Sequence, residues 1–321
     1  MIDAGRPNRQ PVQDGWVPRR APANRARSSG PGCCARKPPQ AARADSQHSE
    51  SPAPDHPEGV MFEGSGRLVA HGTQRPVALI TGASSGIGTA VAEQLATEGS
   101  WRLLLNGRDE DRLGDVAVRT RGTALPADVT DPEARARLAR EAVAHGGRVD
   151  ALVAGAGIGW AGPFTAQPVE SIDRLLAVNL AAVVHLVRLL LPGMVARRRG
   201  RIVLIGSMAG SVGVRDEAVY SATKGGLLAF ADSLRYELAS TGVRVSIVMP
   251  GAVDTPFFGR RGVPYHRTRP RPVPPAQVAE AVRRALVYGR PDAYVPGWLG
   301  MPARLHGAAP GVFRSLAQRF G

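Results

Sequence analysis

Cysteine is nearly absent. The two that occur, Cys33 and Cys34, are adjacent and lie near the start of the 321-residue chain. That excludes a disulfide framework and a cysteine-based zinc site, and no metal site is expected. It fits a cytoplasmic protein. Long clean apolar runs are absent too. The longest apolar stretch, Leu175 to Val195, carries Asn179, His185 and Arg188, so it reads as a packed helix rather than a transmembrane segment. No secretory leader is visible. The pair Arg19-Arg20 is followed by Ala-Pro-Ala-Asn, not by an apolar run.

Lysine is almost missing. Of 41 basic residues, 39 are arginine, and the lysines are Lys37 and Lys224. The net charge of +14 raises nucleic acid as a partner. The arginines are scattered, with no stripe and no interleaved aromatics, so a basic surface without nucleic acid is the reading. The run Arg197-Arg198-Arg199 reads as a solvated helix end, where cations suit the dipole.

Apolar residues are also scarce at the start. Residues 1–75 hold ten prolines and eight glycines but seven Leu, Ile, Val or Phe residues in all. Such a segment buries too little apolar surface to offset the entropy of ordering, and a disordered extension is expected there. Met61 is a candidate initiator, because foldable sequence begins soon after it. The region 76–321 is long enough for one well-buried domain.

Within that domain short apolar runs alternate with helical patterns. Strands are expected over 76–81, 101–106, 123–127, 151–154, 201–205, 243–248 and 293–295. Helices are expected over 87–97, 132–145 (with Asp131 as N-cap), 168–196, 218–240 and 274–288. This order predicts an α/β fold: a doubly wound parallel sheet covered on both faces.

Between the first strand and first helix stands Thr81-Gly82-Ala83-Ser84-Ser85-Gly86-Ile87-Gly88. Gly82 permits a tight turn, Gly86 a close approach of pyrophosphate to backbone, and Gly88 close packing of helix on strand. The helix start then offers free N–H groups and a positive dipole end to phosphates. The second strand ends in Asn106-Gly107-Arg108, with no acid before Asp109. An NAD site uses a carboxylate there for the ribose 2′-hydroxyl, whereas an arginine suits a 2′-phosphate. NADP(H) is therefore favoured over NAD(H).

Tyr220 and Lys224 are four apart on one predicted helix, hence on one face. An ammonium beside a phenol favours the phenolate, and a shift of about three units from pKa about 10 is expected. That would make Tyr220 an acid/base usable near neutral pH. The domain's one lysine thus falls where a compact cation is needed. Ser207, at the carboxyl end of the 201–205 strand, faces the crevice where ligands bind and can hydrogen-bond a substrate oxygen.

Together these residues resemble the short-chain dehydrogenase/reductase family, in its compact single-domain branch, over roughly Pro76 to Tyr294. The resemblance implies a Rossmann fold and an oxidoreductase interconverting a ketone or aldehyde and an alcohol. It implies Tyr220 as general acid/base, Lys224 as its pKa-lowering and ribose-binding partner, and Ser207 as substrate polariser. Asn179 matches the family's fourth catalytic residue, which holds a proton-relay water. Asp128 and Val129 match the adenine-contacting segment, and Gly157 the close approach after the fourth strand. In Pro250-Gly251-Ala252-Val253-Asp254-Thr255, backbone groups of Val253 and the Thr255 hydroxyl match the nicotinamide-holding loop.

One departure stands out: Ala154-Gly155-Ala156-Gly157 replaces the family's Asn-Asn-Ala-Gly, whose asparagines tie neighbouring strands. Phe257 and Phe258 fall in the region that forms the family's mobile substrate lid. A homodimer or homotetramer is implied, through the 168–196 and 218–240 helices. Two other readings stay open: a non-catalytic dinucleotide-binding sensor or scaffold, and a sugar-nucleotide epimerase or dehydratase of the extended branch. The first needs no Ser–Tyr–Lys set. The second has a different glycine spacing and a longer carboxyl-terminal domain.

Overall fold

The computed structural model describes residues 75–265 and 270–320. The expected disordered extension falls, apart from Arg75, outside the described residues. Seven strands form one parallel sheet in the order β3-β2-β1-β4-β5-β6-β7. They are β1 (Val77–Thr81), β2 (Arg102–Asn106), β3 (Thr123–Ala124), β4 (Ala151–Ala154), β5 (Gly200–Ile205), β6 (Val243–Pro250) and β7 (Asp292–Val295). The helices are α1 (Gly86–Glu98), α2 (Glu110–Thr120), α3 (Pro132–Gly146), α4 (Val169–Leu176), α5 (Ala182–Ala196), α6 (Met208–Val212), α7 (Ala218–Glu237), α8 (Phe257–Arg260), α9 (Pro275–Tyr288), α10 (Gly300–Ala308) and α11 (Pro310–Phe320).

The strands are apolar because both faces are covered. Successive side chains point to opposite faces, so neighbours in sequence join different cores. Leu79, Leu104 and Leu152 meet Leu138 of α3, Leu186 of α5 and Leu227 of α7. Ile80, Leu105 and Val153 meet Val91 of α1, Leu113 of α2 and Val282 of α9. The parallel register aligns the carboxyl ends, with Thr81 opposite both Asn106 and Ala154. The strand order reverses between β1 and β4, which opens a crevice at that edge.

Several elements differ from expectation. Helix α2 was not anticipated, although Asp109 caps it by accepting from the Arg112 N–H, and Glu110 and Asp111 open its first turn. Strand β3 is two residues long because Pro126 lacks an N–H for the ladder. Leu125 and Ala127 still donate to Leu105 and Gly107 carbonyls at 2.7 and 3.2 Å. Helix α7 stops at Glu237, and β6 runs on to Pro250 by pairing with β7. The expected 168–196 helix contains a π-turn, Ala177–Ala181, which centres on Asn179. By length and composition the Val169–Ala196 run could cross a membrane. In this fold Leu186, Leu190 and Met194 pack on the sheet, and Arg188 is exposed. The arginines after α5 are not simply solvated: Arg197 donates to the Val149 carbonyl at 2.9 Å and Arg198 to that of Ser240 at 3.1 Å.

Candidate active site

A cleft of about 1040 Å³ runs along the carboxyl edge of the sheet. The glycine turn forms one wall. Gly82 and Gly86 have φ of 71° and 56°, in the left-handed region that glycine adopts without strain. A Cβ at Gly88 would lie 2.2 Å from the Gly82 carbonyl oxygen, so helix and strand touch through bare backbone. Ser84, Ser85 and Ile87 complete this wall. Thr81 lies behind it and is not among the lining residues. Its hydroxyl oxygen accepts from the Gly155 and Ala156 N–H groups at 3.1 and 3.2 Å. Thr81 thereby ties β1 to the segment after β4, the task that the missing asparagines would otherwise perform.

At one end of the cleft Arg108 lies 3.6 Å from Asp128, both partly exposed. Burial acts to raise the Asp128 pKa, but the Thr130 hydroxyl and N–H, with Arg108, hold it below the ordinary carboxylate value. Asp109, the nearest acid after β2, is committed to Arg112. Asn106, missed as a site residue, donates to the Leu125 and Ala127 carbonyls at 3.0 and 3.2 Å and so positions the Asp128 segment. Val129 lines the cleft beside Asp128, and its carbonyl accepts from buried Arg135 at 2.7 Å.

At the other end Ser207, Tyr220 and Lys224 line one wall. Ser207 caps α6, its hydroxyl oxygen accepting from the Ala209 N–H at 3.1 Å. Tyr220 packs with Leu175 and Ala209. The Lys224 ammonium donates to the Ile205 carbonyl at 2.8 Å and stands 5.8 Å from the centre of the Tyr220 ring.

The expected lowering of the Tyr220 pKa is not found. Burial pushes the phenol up to about 12, with Ser207 hydrogen bonding working the other way. Burial also pushes Lys224 down to about 8. Each buried group is held toward its neutral form, because transfer from water penalises charge.

Asn179 is fully buried and does not line the cleft. Its side chain accepts from the Ile158 N–H and donates to the Ile158 carbonyl, both at 2.9 Å. It also donates to the Thr223 hydroxyl on α7 at 3.4 Å. The π-turn thus places Asn179 as a clamp between the post-β4 segment and α7. Gly157 lines the cleft between them: a Cβ there would come within 3.4 Å of the Asn179 Oδ1 and 3.7 Å of the Lys224 Nζ.

The loop after β6 supplies Pro250, Gly251, Val253 and Thr255 to the cleft. Val253 bridges to Val273, and Thr255 sits against Gly86, 3.1 Å from where a Cβ would be. Phe257 and Phe258 follow on α8, and the Phe257 ring centre is 5.7 Å from that of Tyr220. Sequence reasoning missed Glu217, Arg260 and Arg261, which also line the cleft. Adjacent arginines in an Arg-rich chain carry no signal of their own. His185 is exposed on the outer side of α5.

The bare-backbone turn, the helix start behind it and the arginine after β2 fit a dinucleotide phosphate, and the same cleft is lined by Tyr220. The sequence profile described as short chain dehydrogenase matches residues 76–263. An uncharacterized oxidoreductase of Staphylococcus epidermidis is 36% identical over 192 residues, which is 58% of this chain and 83% of that protein. The short-chain dehydrogenase from Sphingobium yanoikuyae, solved with NADPH, is 32% identical with a TM-score of 0.66, over 74% of this chain and 95% of that one. The 3-ketoacyl-(acyl-carrier-protein) reductase from Brucella melitensis, solved with NADH, is 27% identical with a TM-score of 0.64, over 69% and 97%. The chain belongs to the short chain dehydrogenase family and is a nicotinamide-dinucleotide-dependent oxidoreductase.

Proposed function

We propose that this enzyme is an NADP(H)-dependent reductase of apolar ketones or aldehydes, with Tyr220 as the proton donor. One observation carries the reading: Ser207, Tyr220 and Lys224 share a wall of the same cleft whose far end holds Arg108 and the glycine turn. When bound, the cofactor supplies the hydride to the carbonyl carbon. The chain's own residues handle the oxygen. Ser207 orients it by hydrogen bonding. Tyr220, a neutral phenol through the physiological range, gives it a proton. Lys224, with one donor on Ile205 and two remaining, supplies positive charge beside the phenolate as the proton leaves.

A phenol held neutral favours the reducing direction, because donation needs the proton in place beforehand. The 2′-phosphate reading rests on Arg108 and on the engagement of Asp109, the first acid after β2, with Arg112. Ile158, Val214, Phe257, Phe258, Trp298 and Phe313 line the cleft, which suits a substrate with an apolar body. A ketoacyl chain, as named for the Brucella relative, belongs to that class.

The test is a thermal melt with NADPH, NADH or neither. A ligand at about 100 times its Kd adds about 2.7 kcal/mol, or several degrees for a domain of this size. A rise with NADPH and none with NADH is expected, followed by NADPH consumption with apolar carbonyl compounds. A rise with NADH alone refutes the cofactor preference. No rise with either, in protein shown to be folded, counts against nicotinamide-dinucleotide binding and so against the enzyme reading.

A further inference from the structure

Two consecutive arginines, Arg260 at the end of α8 and Arg261 just after it, reach to opposite sides of the cleft. Arg260, exposed, donates from Nη1 to the Ser85 hydroxyl oxygen of the glycine turn at 3.2 Å. Arg261 forms an ion pair with Glu217, one turn before Tyr220, and its guanidinium lies 4.7 Å from the Phe258 ring centre. The base of this segment is fixed by Thr255 against Gly86, and its apolar side by Phe257 against Tyr220. The segment therefore bridges the phosphate end of the cleft and the catalytic end.

The placement of Arg260 is specific. It stands between the turn, through Ser85, and the end of β2. There Arg112 does most to lower the Asp109 pKa and the charge of Arg260 adds to it. Arg108 stands at the same strand end. The ribose 2′ position of a dinucleotide is read there. Ser85 offers Arg260 a weak neutral acceptor, and a phosphate is a stronger one.

We propose that Arg260 is a second reader of the 2′-phosphate, paired with Arg108, and that it couples this phosphate to the seating of α8 over the catalytic end. The guanidinium would exchange Ser85 for the phosphate while Arg261 holds the other side through Glu217. This rests on the NADP(H) reading above.

The probes are adenosine 2′,5′-bisphosphate and 5′-AMP, which differ by the 2′-phosphate alone. Calorimetry gives the affinity ratio for the wild type, Arg108→Ala, Arg260→Ala and Arg290→Ala. Arg290 is exposed beside the amino end of β7, at the opposite edge of the sheet, and controls for the loss of one positive charge. Arg260→Ala is expected to lower the preference for the bisphosphate about tenfold, with 5′-AMP affinity unchanged. Arg290→Ala should leave the ratio alone.

An Arg260→Ala protein with the wild-type ratio overturns the proposal while leaving the NADP(H) reading intact. So does one that weakens both nucleotides equally, or an equal effect of Arg290→Ala. A wild type that does not distinguish the two probes removes both readings. The melting temperature without ligand should be unchanged in Arg260→Ala, because the side chain is exposed.

Discussion

Lys224 sits 5.8 Å from the centre of the Tyr220 ring, with its ammonium hydrogen-bonded to the Ile205 carbonyl at 2.8 Å rather than to the phenol. The lysine anchors α7 to the end of β5 and keeps a positive charge at the cleft wall. Burial, opposed mainly by Ser207 hydrogen bonding, pushes the Tyr220 phenol up to about 12. In the proposed reaction the neutral phenol is the proton donor, and the lysine charge matters most once that proton begins to move.

Removal of the phenol hydroxyl is the direct test. Tyr220→Phe keeps the ring and its contact with Phe257. General acid catalysis contributes roughly 10²–10⁴ in rate, so kcat for carbonyl reduction should fall by about that factor. The melting shift with NADPH should persist, because the turn, Arg108 and Lys224 are untouched. Undiminished turnover would remove Tyr220 from the mechanism.

The pH profile follows from the two buried groups. Lys224, held at about 8, is protonated at neutral pH and loses its proton above that value. Carbonyl reduction should run level below about pH 8 and decline above it. Stability carries a matching sign. Folded Lys224 binds its proton less tightly than a free lysine at 10.5, so the chain gains stability between about pH 8 and 10.5. Tyr220 holds its proton more tightly than a free phenol at 10, so stability falls from pH 10 toward about 12. Denaturant titrations of wild type against Lys224→Met across this range would separate the lysine contribution. A reduction rate that keeps rising through pH 9 contradicts the assignment.

The parallel sheet was legible because its strands are buried on both faces and read as short apolar runs. The glycine turn was legible because it falls between such a run and a helix. The tyrosine–lysine pair stood out because the domain has one lysine. Other features left no trace in pattern. The π-turn at Asn179 has no glycine or proline to mark it, and it depends on Ile158, which is 21 residues away. The pKa of Tyr220 depends on burial by residues from several elements. The roles of Arg260 and Arg261 depend on which way α8 faces, which spacing within a four-residue helix does not reveal.

Thr81 offers a test of how the departure at 154–157 is compensated. Its hydroxyl oxygen serves the N–H groups of Gly155 and Ala156. Thr81→Val keeps the volume and the strand preference but leaves those groups without their acceptor. The cost of leaving buried polar groups unpaired is about 1–3 kcal/mol. A lower melting temperature is expected, and Thr81→Ser should recover most of it. A neutral Thr81→Val would show that the two N–H groups find another acceptor.

Glycine-to-alanine changes should have opposite signs at two positions. At Gly88 a Cβ would meet the Gly82 oxygen at 2.2 Å and the Gly82 carbonyl carbon at 2.6 Å. Neither is the end of a flexible side chain, so α1 must move off β1 and the turn must deform. Gly88→Ala should lose the NADPH melting shift and lower the melting temperature itself. Gly114 lies within α2, and a Cβ there would meet nothing within 4 Å. Alanine in a helix interior is favoured over glycine by about 0.5–1 kcal/mol. Gly114→Ala should therefore raise the melting temperature by a few degrees and leave the NADPH shift as it was. A thermal melt of both variants, with and without NADPH, decides the matter. A Gly88→Ala protein that still responds to NADPH would mean that the close contact of α1 with the turn is not what shapes the phosphate wall.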